Sequence, residues 1–477
     1  MLFNSIPFAI FLPIVYLIYW SIGARRFKIQ NFMLILASYV FYGWWDWRFL
    51  SLIFISSLVD YVVGGRMDRS TNQSTRKILL LISIFVNLGI LGFFKYFNFF
   101  IDSFACLLGT FGLQANMPTL RIILPVGISF YTFQTLSYTI DIYREKIKST
   151  GDPIAFFAFV SFFPQLVAGP IERAKSLLPQ FTQVRQFDDS NARDGVRQML
   201  WGFFKKMVVA DNLAPHVEFI FENYATLDSI TLFLGVFFFA LQIYCDFSGY
   251  SDIAIGIARL FGFSLMRNFA FPYFSRDIAE FWRRWHISLS SWFRDYVYIP
   301  LGGSYVGKWQ RIRNIIITFT VSGFWHGANW TFVIWGLLNG LYYIPIMLKE
   351  KQKRYTDTIA PGRLFPGIRE AGAILLTFLL ALLAWVFFRA DSLSHAFGYL
   401  GQFFRMPFTG SGYSDYLRPL CLAIIPLVIE WLQRDKQHGL EISLLPLVVR
   451  WMIYAIVCFG ILLFGSFGFQ QFIYFQF

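Results

Sequence analysis

The sequence predicts an all-α, polytopic membrane protein, and three observations carry that prediction. The chain is 56% apolar and only 14% charged. Its mean hydropathy is +0.53. Apolar stretches near the length of a membrane span recur almost to its end. An ordinary soluble domain is about 45–50% apolar and about 25% charged, so 477 residues of this composition carry too few charges to cover a soluble surface. Aromatic residues make up 21%, with 59 Phe, 24 Tyr and 15 Trp. That mixture suits lipid contact, Trp and Tyr serving the two interfaces. Disorder, fibrous repeats and a nucleic-acid-binding domain fit poorly.

A span needs about 20 mainly apolar residues. Candidates fall near 6–22, 29–45, 48–64, 78–94, 99–113, 122–140, 154–168, 196–213, 230–247, 252–266, 312–330, 331–348, 371–388, 416–432 and 448–466. Several are shorter than a full crossing, so some are expected to be re-entrant or buried within protein, leaving roughly ten to twelve true crossings. The N-terminal MLFNSIPFAIFLPIVYLIYW has no basic region before its apolar core and no small-residue cleavage site after it. It reads as a retained first span rather than a signal peptide. With no internal repeat, low-complexity tract or Pro/Ser-rich linker, one integral-membrane domain over 1–477 is the simplest organisation.

The net charge is +13 and the isoelectric point about 9.5. Basic clusters follow several spans: Arg25, Arg26 and Lys28; Arg66, Arg69, Arg76 and Lys77; Arg144, Lys146 and Lys148; Lys349, Lys351, Lys353 and Arg354. The Lys/Arg rule puts these loops in the cytoplasm; attraction of an anionic, phosphate-bearing ligand is a second reading of the same charge. Three segments lie between the second and third clusters, which implies that one is re-entrant. Cys106, Cys245, Cys421 and Cys458 lie far apart without metal-ligand spacing and read as small core residues.

Polar groups within apolar sequence are costly and therefore functional candidates. In YCDFSGYSDIAIGIARLFGF (244–263), Asp246 and Asp252 interrupt a long hydrophobic run, and Gly249 permits a bend or a close approach. These carboxylates either cap broken helices, pair with Arg259 or another arginine, or transfer protons. In 271–303, Trp282, Trp285, His286, Leu289, Phe293 and Tyr296 share a stripe at helical spacing, with Arg283, Arg284, Arg294 and Asp295 supplying charge. That pattern predicts an amphipathic helix lying at the interface, with Arg283 and Arg284 able to face ligand phosphates. The histidine on the apolar stripe is either a core residue or a functional one. In TVSGFWHGANWTFVIWG (320–336), His326 lies beside Trp325, Gly327 and Asn329. It is either a proton-transfer group or a packing histidine.

No phosphate loop, dinucleotide fingerprint, zinc helix or nucleophile elbow is present, and no metal is expected. Two candidate histidines without an evident serine or cysteine nucleophile favour direct transfer assisted by a general base over a covalent enzyme intermediate.

A long ordered series of motifs resembles the membrane-bound O-acyltransferase (MBOAT) family, in its bacterial alginate O-acetylation branch. It runs through ASYVFYGWWDWRFL (37–50), LPVGISFYTFQTLSYTIDIYR (124–144), FFPQLVAGPIER (162–173), YCDFSGYSDIAIGIARLFGF, EFWRRWHISLSSWFRDYVYIPLGG and GFWHGANWTFVIWG, to FIYFQF (472–477). The resemblance spans essentially the whole chain and is strongest over about 244–340, which it implies is the catalytic core. It implies a helical bundle around a central funnel or tunnel, with His326 as the catalytic histidine and His286 as the second polar position. Trp325, Asn329, Arg283, Arg284, Trp285, Asp246 and Asp252 are the supporting or substrate-binding candidates.

The resemblance further implies acetyl-CoA as a transient donor entering from the cytoplasm, with no permanently bound cofactor. A periplasmic or membrane-anchored acetyltransferase partner would modify a cell-surface polysaccharide, and the protein would sit in a bacterial inner membrane. Alginate, peptidoglycan and other glycans stay open as acceptors, with D-alanyl transfer to teichoic acid disfavoured. A transporter lined by intramembrane Asp, Arg and His, or a non-catalytic scaffold, is the reading from a different class.

Overall fold

The computed structural model describes residues 1–113, 120, 122–350, 354–407, 413–468 and 472–473. Lys351, Lys353 and the closing 474–477 lie outside them. Among the described residues the chain is helical throughout, with no strand. Six helical runs are long and apolar enough to cross a membrane: Ala24–Arg69, Gln73–Thr110, Ser229–Leu260, Trp330–Leu348, Ile368–Arg389 and Leu447–Phe464. The protein is a multi-pass membrane protein. The larger number of crossings expected from hydropathy counts shorter or more polar helices, such as Ile6–Ser21 and Lys308–His326.

The chain divides into two compact units, one comprising 1–191 and 258–265, the other 192–257 and 266–477. In the first, helix Ile128–Tyr143 is buried along nearly its whole length. A Cβ on Gly64 would come within 2.7 Å of the Tyr138 ring, so only glycine lets helix Leu50–Arg69 approach so closely. Asp60 is fully buried in this unit, accepting from Ser83 at 2.6 Å and Asn87 at 2.8 Å, and Ser56 donates to Asn87 at 2.7 Å. Such interhelical bonds hold apolar helices together where lipid supplies no hydrophobic drive. The segments 78–94 and 99–113 meet without a loop, being joined by a π-turn at Gly92–Tyr96. The first two of the three segments between the basic clusters thus form one helical run, Gln73–Thr110, in place of the re-entrant segment expected from the count.

The second unit holds every candidate site residue. Its Ser229–Leu260 helix runs unbroken for 32 residues, so neither Gly249 nor the two aspartates mark a break. Gly249 serves close approach instead: a Cβ there would lie 2.8 Å from the carbonyl oxygen of Gly202. The amphipathic helix expected over 271–303 is also different. It is two short helices, Ile278–Arg284 and Ile287–Phe293, followed by a π-turn at Arg294–Tyr298. Trp282, Trp285, His286, Leu289 and Phe293 are buried rather than spread on a surface. The periodicity presumed a continuous helix, whereas Trp285 is extended and His286 takes the left-handed conformation. Of the cysteines only Cys245 is a core residue; Cys106, Cys421 and Cys458 are exposed on helices, where lipid tolerates them as readily as a core would.

Candidate active site

His326 ends helix Lys308–His326. Gly327 continues as extended chain, and Asn329 caps the next helix, Trp330–Leu348. The two helices form a hairpin that seats the imidazole among aromatic rings. Ring centroids lie 5.0 Å away for Trp325 and Trp335 and 5.4 Å for Phe388. Gly327 is needed for this fit, because a Cβ there would fall 2.1 Å from the Phe332 ring.

His286 stands between the two short helices with φ 42° and ψ 55°. A non-glycine residue held in the left-handed region costs of the order of 1–3 kcal/mol, a strain that clusters at functional sites. The side chain is fully buried, edge to face with Phe247 at 4.6 Å and 6.2 Å from Trp325. Burial pushes its imidazole down to about 3 from the ordinary 6.5, so it is neutral at physiological pH.

The two imidazole centroids are 6.5 Å apart. An atom hydrogen-bonded to an imidazole nitrogen at about 2.8 Å lies about 4 Å from the ring centre. At that spacing one reacting group lies within reach of both rings where a nitrogen of each faces it. The structure brings together His286, His326 and Trp325 from sequence segments 40 residues apart.

The other candidates hold different positions. Trp285 stacks on Phe281 at 5.6 Å and packs on Trp385 at 5.0 Å, and it meets Phe269, whose ring also lies 6.2 Å from His286. Arg284 bonds Glu280 at 2.8 Å and the carbonyl of Ala270; exposed Arg283 donates to the Tyr355 carbonyl at 2.7 Å. Asn329 accepts from the Thr331 amide at 3.0 Å and donates to the Asp391 carbonyl at 2.8 Å, so its oxygen caps the helix and its amide nitrogen ties that cap to Asp391.

Asp246 and Asp252 pair with lysines, not arginines. Lys206 bonds Asp246 at 2.7 Å and Asp211 at 2.8 Å. Lys205 bonds Asp252 at 2.7 Å and Ser248 at 2.7 Å, with Glu430 at 3.6 Å. On the same helix, one turn apart, Phe247 and Ser251 serve the histidine instead.

Sequence reasoning missed Asn268. Its fully buried side-chain oxygen lies 3.2 Å from His286 Nδ1 and accepts from the Ser288 hydroxyl at 2.9 Å. Its amide donates to Ser251 at 3.2 Å. A polar residue inside an apolar stretch was the available signal, but only the fold carries it to His286. No group of three or more His, Cys, Asp or Glu that could hold a metal occurs among the described residues.

The profile of MBOAT, the membrane-bound O-acyltransferase family, matches residues 143–352, which contain both histidines. The chain is 41% identical to the probable alginate O-acetylase AlgI of Azotobacter vinelandii over 401 residues, 83% of this chain and 76% of that protein. The chain belongs to the membrane-bound O-acyltransferase family. A peptidoglycan O-acetyltransferase of Helicobacter pylori is 36% identical, over 83% of this chain and 78% of its own. A teichoic acid D-alanyltransferase of Streptococcus thermophilus is 28% identical, over 55% and 68%. This membrane-bound O-acyltransferase thus carries its two histidines in one buried aromatic cluster of the second unit.

Proposed function

We propose that this O-acyltransferase takes an acetyl group from cytoplasmic acetyl-CoA and passes it across a bacterial inner membrane for O-acetylation of a cell-surface polysaccharide such as alginate. The observation that carries this reading is the pairing of buried His326 and His286 at 6.5 Å, in a chain about 40% identical over most of its length to probable alginate O-acetylases.

In the proposed reaction, neutral His326 accepts the proton of the acceptor hydroxyl as that oxygen attacks the thioester carbonyl carbon. The tetrahedral intermediate collapses with cleavage of the C–S bond. The protonated imidazole returns its proton to the departing thiolate, leaving an acetyl ester and free CoA. General-base help of this kind is worth about 10²–10⁴-fold. The rings of Trp325, Trp335 and Phe388, each set edge-on to His326, exclude water that would otherwise hydrolyse the thioester. His286 orients a substrate beside the base. The last acceptor is handled by a periplasmic or membrane-anchored transferase partner.

Peptidoglycan is the second acceptor reading, favoured by the similar coverage and identity of the Helicobacter pylori relative. The test is reconstitution in vesicles with labelled acetyl-CoA, partner transferase and alginate or peptidoglycan fragments, comparing wild type with His326→Ala. Label is expected on alginate with wild type and absent with the folded variant. Near-normal transfer by His326→Ala would remove the base assignment, and label on peptidoglycan alone would change the acceptor.

A further inference from the structure

The contacts around Asn268 decide which ring nitrogen of His286 carries its proton. The backbone N–H of Ser288 points at Asn268 Oδ1 from 3.3 Å. That group can only donate, so the carboxamide is turned with its oxygen towards Ser288 and His286, and its NH₂ towards the Ser251 hydroxyl. The reverse orientation would set an N–H₂ against an N–H. With the oxygen so placed, His286 Nδ1 lies 3.2 Å from it. A lone pair on Nδ1 would face the carboxamide lone pairs; a proton there makes a hydrogen bond. The Ser288 hydroxyl lies nearer Asn268 Oδ1, at 2.9 Å, than Nδ1, at 3.4 Å, and gives its proton to the former. The Asn268 backbone adds a further tie, its carbonyl accepting from the Ile287 N–H at 2.9 Å, immediately after the left-handed turn.

We propose that Asn268 is a positioning residue that holds His286 in its Nδ1–H tautomer, so that Nε2 acts as a hydrogen-bond acceptor for an O–H or N–H group of substrate. His286 then holds a substrate donor group beside His326 and does not stabilise an oxyanion. The partner is either the attacking hydroxyl or an amide N–H of the thioester's carrier arm. The substrate half rests on the acetyl-transfer reading; the tautomer does not.

The test is ¹⁵N NMR of the full chain labelled on its five histidines and purified in detergent, with His286→Asn to assign the His286 signals. Wild type should show the Nδ1–H pattern, and folded Asn268→Ala should revert to the Nε2–H tautomer that free histidine favours. Asn268→Asp retains an acceptor oxygen. It should keep the wild-type tautomer and, because a carboxylate favours the imidazolium, protonate His286 at a higher pH. An Nε2–H pattern in wild type, or an unchanged pattern in folded Asn268→Ala, overturns the proposal. So does an Asn268→Asp variant that loses the tautomer.

Adding coenzyme A or a uronate oligosaccharide separates the two sources, since the ligand that donates to Nε2 moves that signal. Movement with neither overturns the substrate half. The spectrum reads the tautomer whether or not the chain turns over, so failure of acetyl transfer is distinguishable from failure of this assignment.

Discussion

Gly323 and Gly336 lie against each other across the hairpin that carries His326. A Cβ on Gly323 would sit 2.2 Å from the Phe332 carbonyl oxygen and 3.0 Å from Gly336 Cα, and one on Gly336 would sit 2.3 Å from the Phe319 carbonyl oxygen. The atoms met belong to the opposing backbone, which cannot step aside as a side chain can.

Gly336→Ala should therefore force the two helices apart and shift His326 against Trp335. Overpacking of this kind costs about 1–3 kcal/mol, visible as a lower thermal midpoint. Acyl transfer should fall by about tenfold or more, since a displacement of about 1 Å at a reacting group can cost about a hundredfold. Gly340→Ala is the comparison, because its nearest neighbours are side-chain atoms of Ile316 and Phe319 at 3.3 Å. Equal losses in the two variants would mean that the backbone contact at Gly336 does not set the hairpin's spacing.

His286 gives a pH signature with a definite sign. Its imidazole is held down to about 3 in the fold and titrates at 6.5 in the open chain. Acid therefore protonates the unfolded form first. The stability this group contributes is complete above about pH 6.5 and is lost as pH falls from there towards 3. Wild type should lose thermal stability more steeply than His286→Asn between about pH 6.5 and 4. Parallel stability curves for the two proteins would show that burial does not hold the ring neutral.

Lys206 is the buried counter-charge for two carboxylates, Asp246 and Asp211. Removing one partner of a buried pair leaves an uncompensated charge and costs about 3–5 kcal/mol. Lys206→Met should lose that much stability, whereas adding Asp246→Asn should restore part of it, because one stranded charge is gone. The cycle is read by denaturation in detergent. A double variant no more stable than Lys206→Met would mean that Asp246 draws no support from this lysine.

The membrane class and the ordered motifs that hold the two histidines were legible because composition and motif order survive in one dimension, whereas the helix end at His326 fell inside an apolar segment read as running through 312–330. The helix break at Trp285–His286 was not, since residues 282, 285, 289 and 293 keep a helical period across it. Lys205 and Lys206 were hidden inside a segment read as apolar, and only packing against helix Ser229–Leu260 shows which aspartate each one serves. Asn268 carries no motif of its own. Its meaning comes from the left-handed turn at His286, which swings an imidazole 18 residues away back onto its carboxamide.

Asn329 is where sequence and structure assign different work to one side chain. Its place in WHGAN suggests a dipole for charge developing on the substrate, yet its two polar atoms are spent on Thr331 and Asp391. Asn329→Ser separates the two roles, since serine caps about as well as asparagine but cannot supply an amide dipole. Removing a donor that stabilises an oxyanion costs about 10²–10³ in kcat. Losing a cap costs about 1 kcal/mol of stability and little chemistry. Asn329→Ser is expected to keep kcat within about threefold of wild type, and Asn329→Ala to lower the thermal midpoint with a similarly small change in kcat. A hundredfold fall in kcat for a stably folded Asn329→Ser would return the residue to the reacting centre.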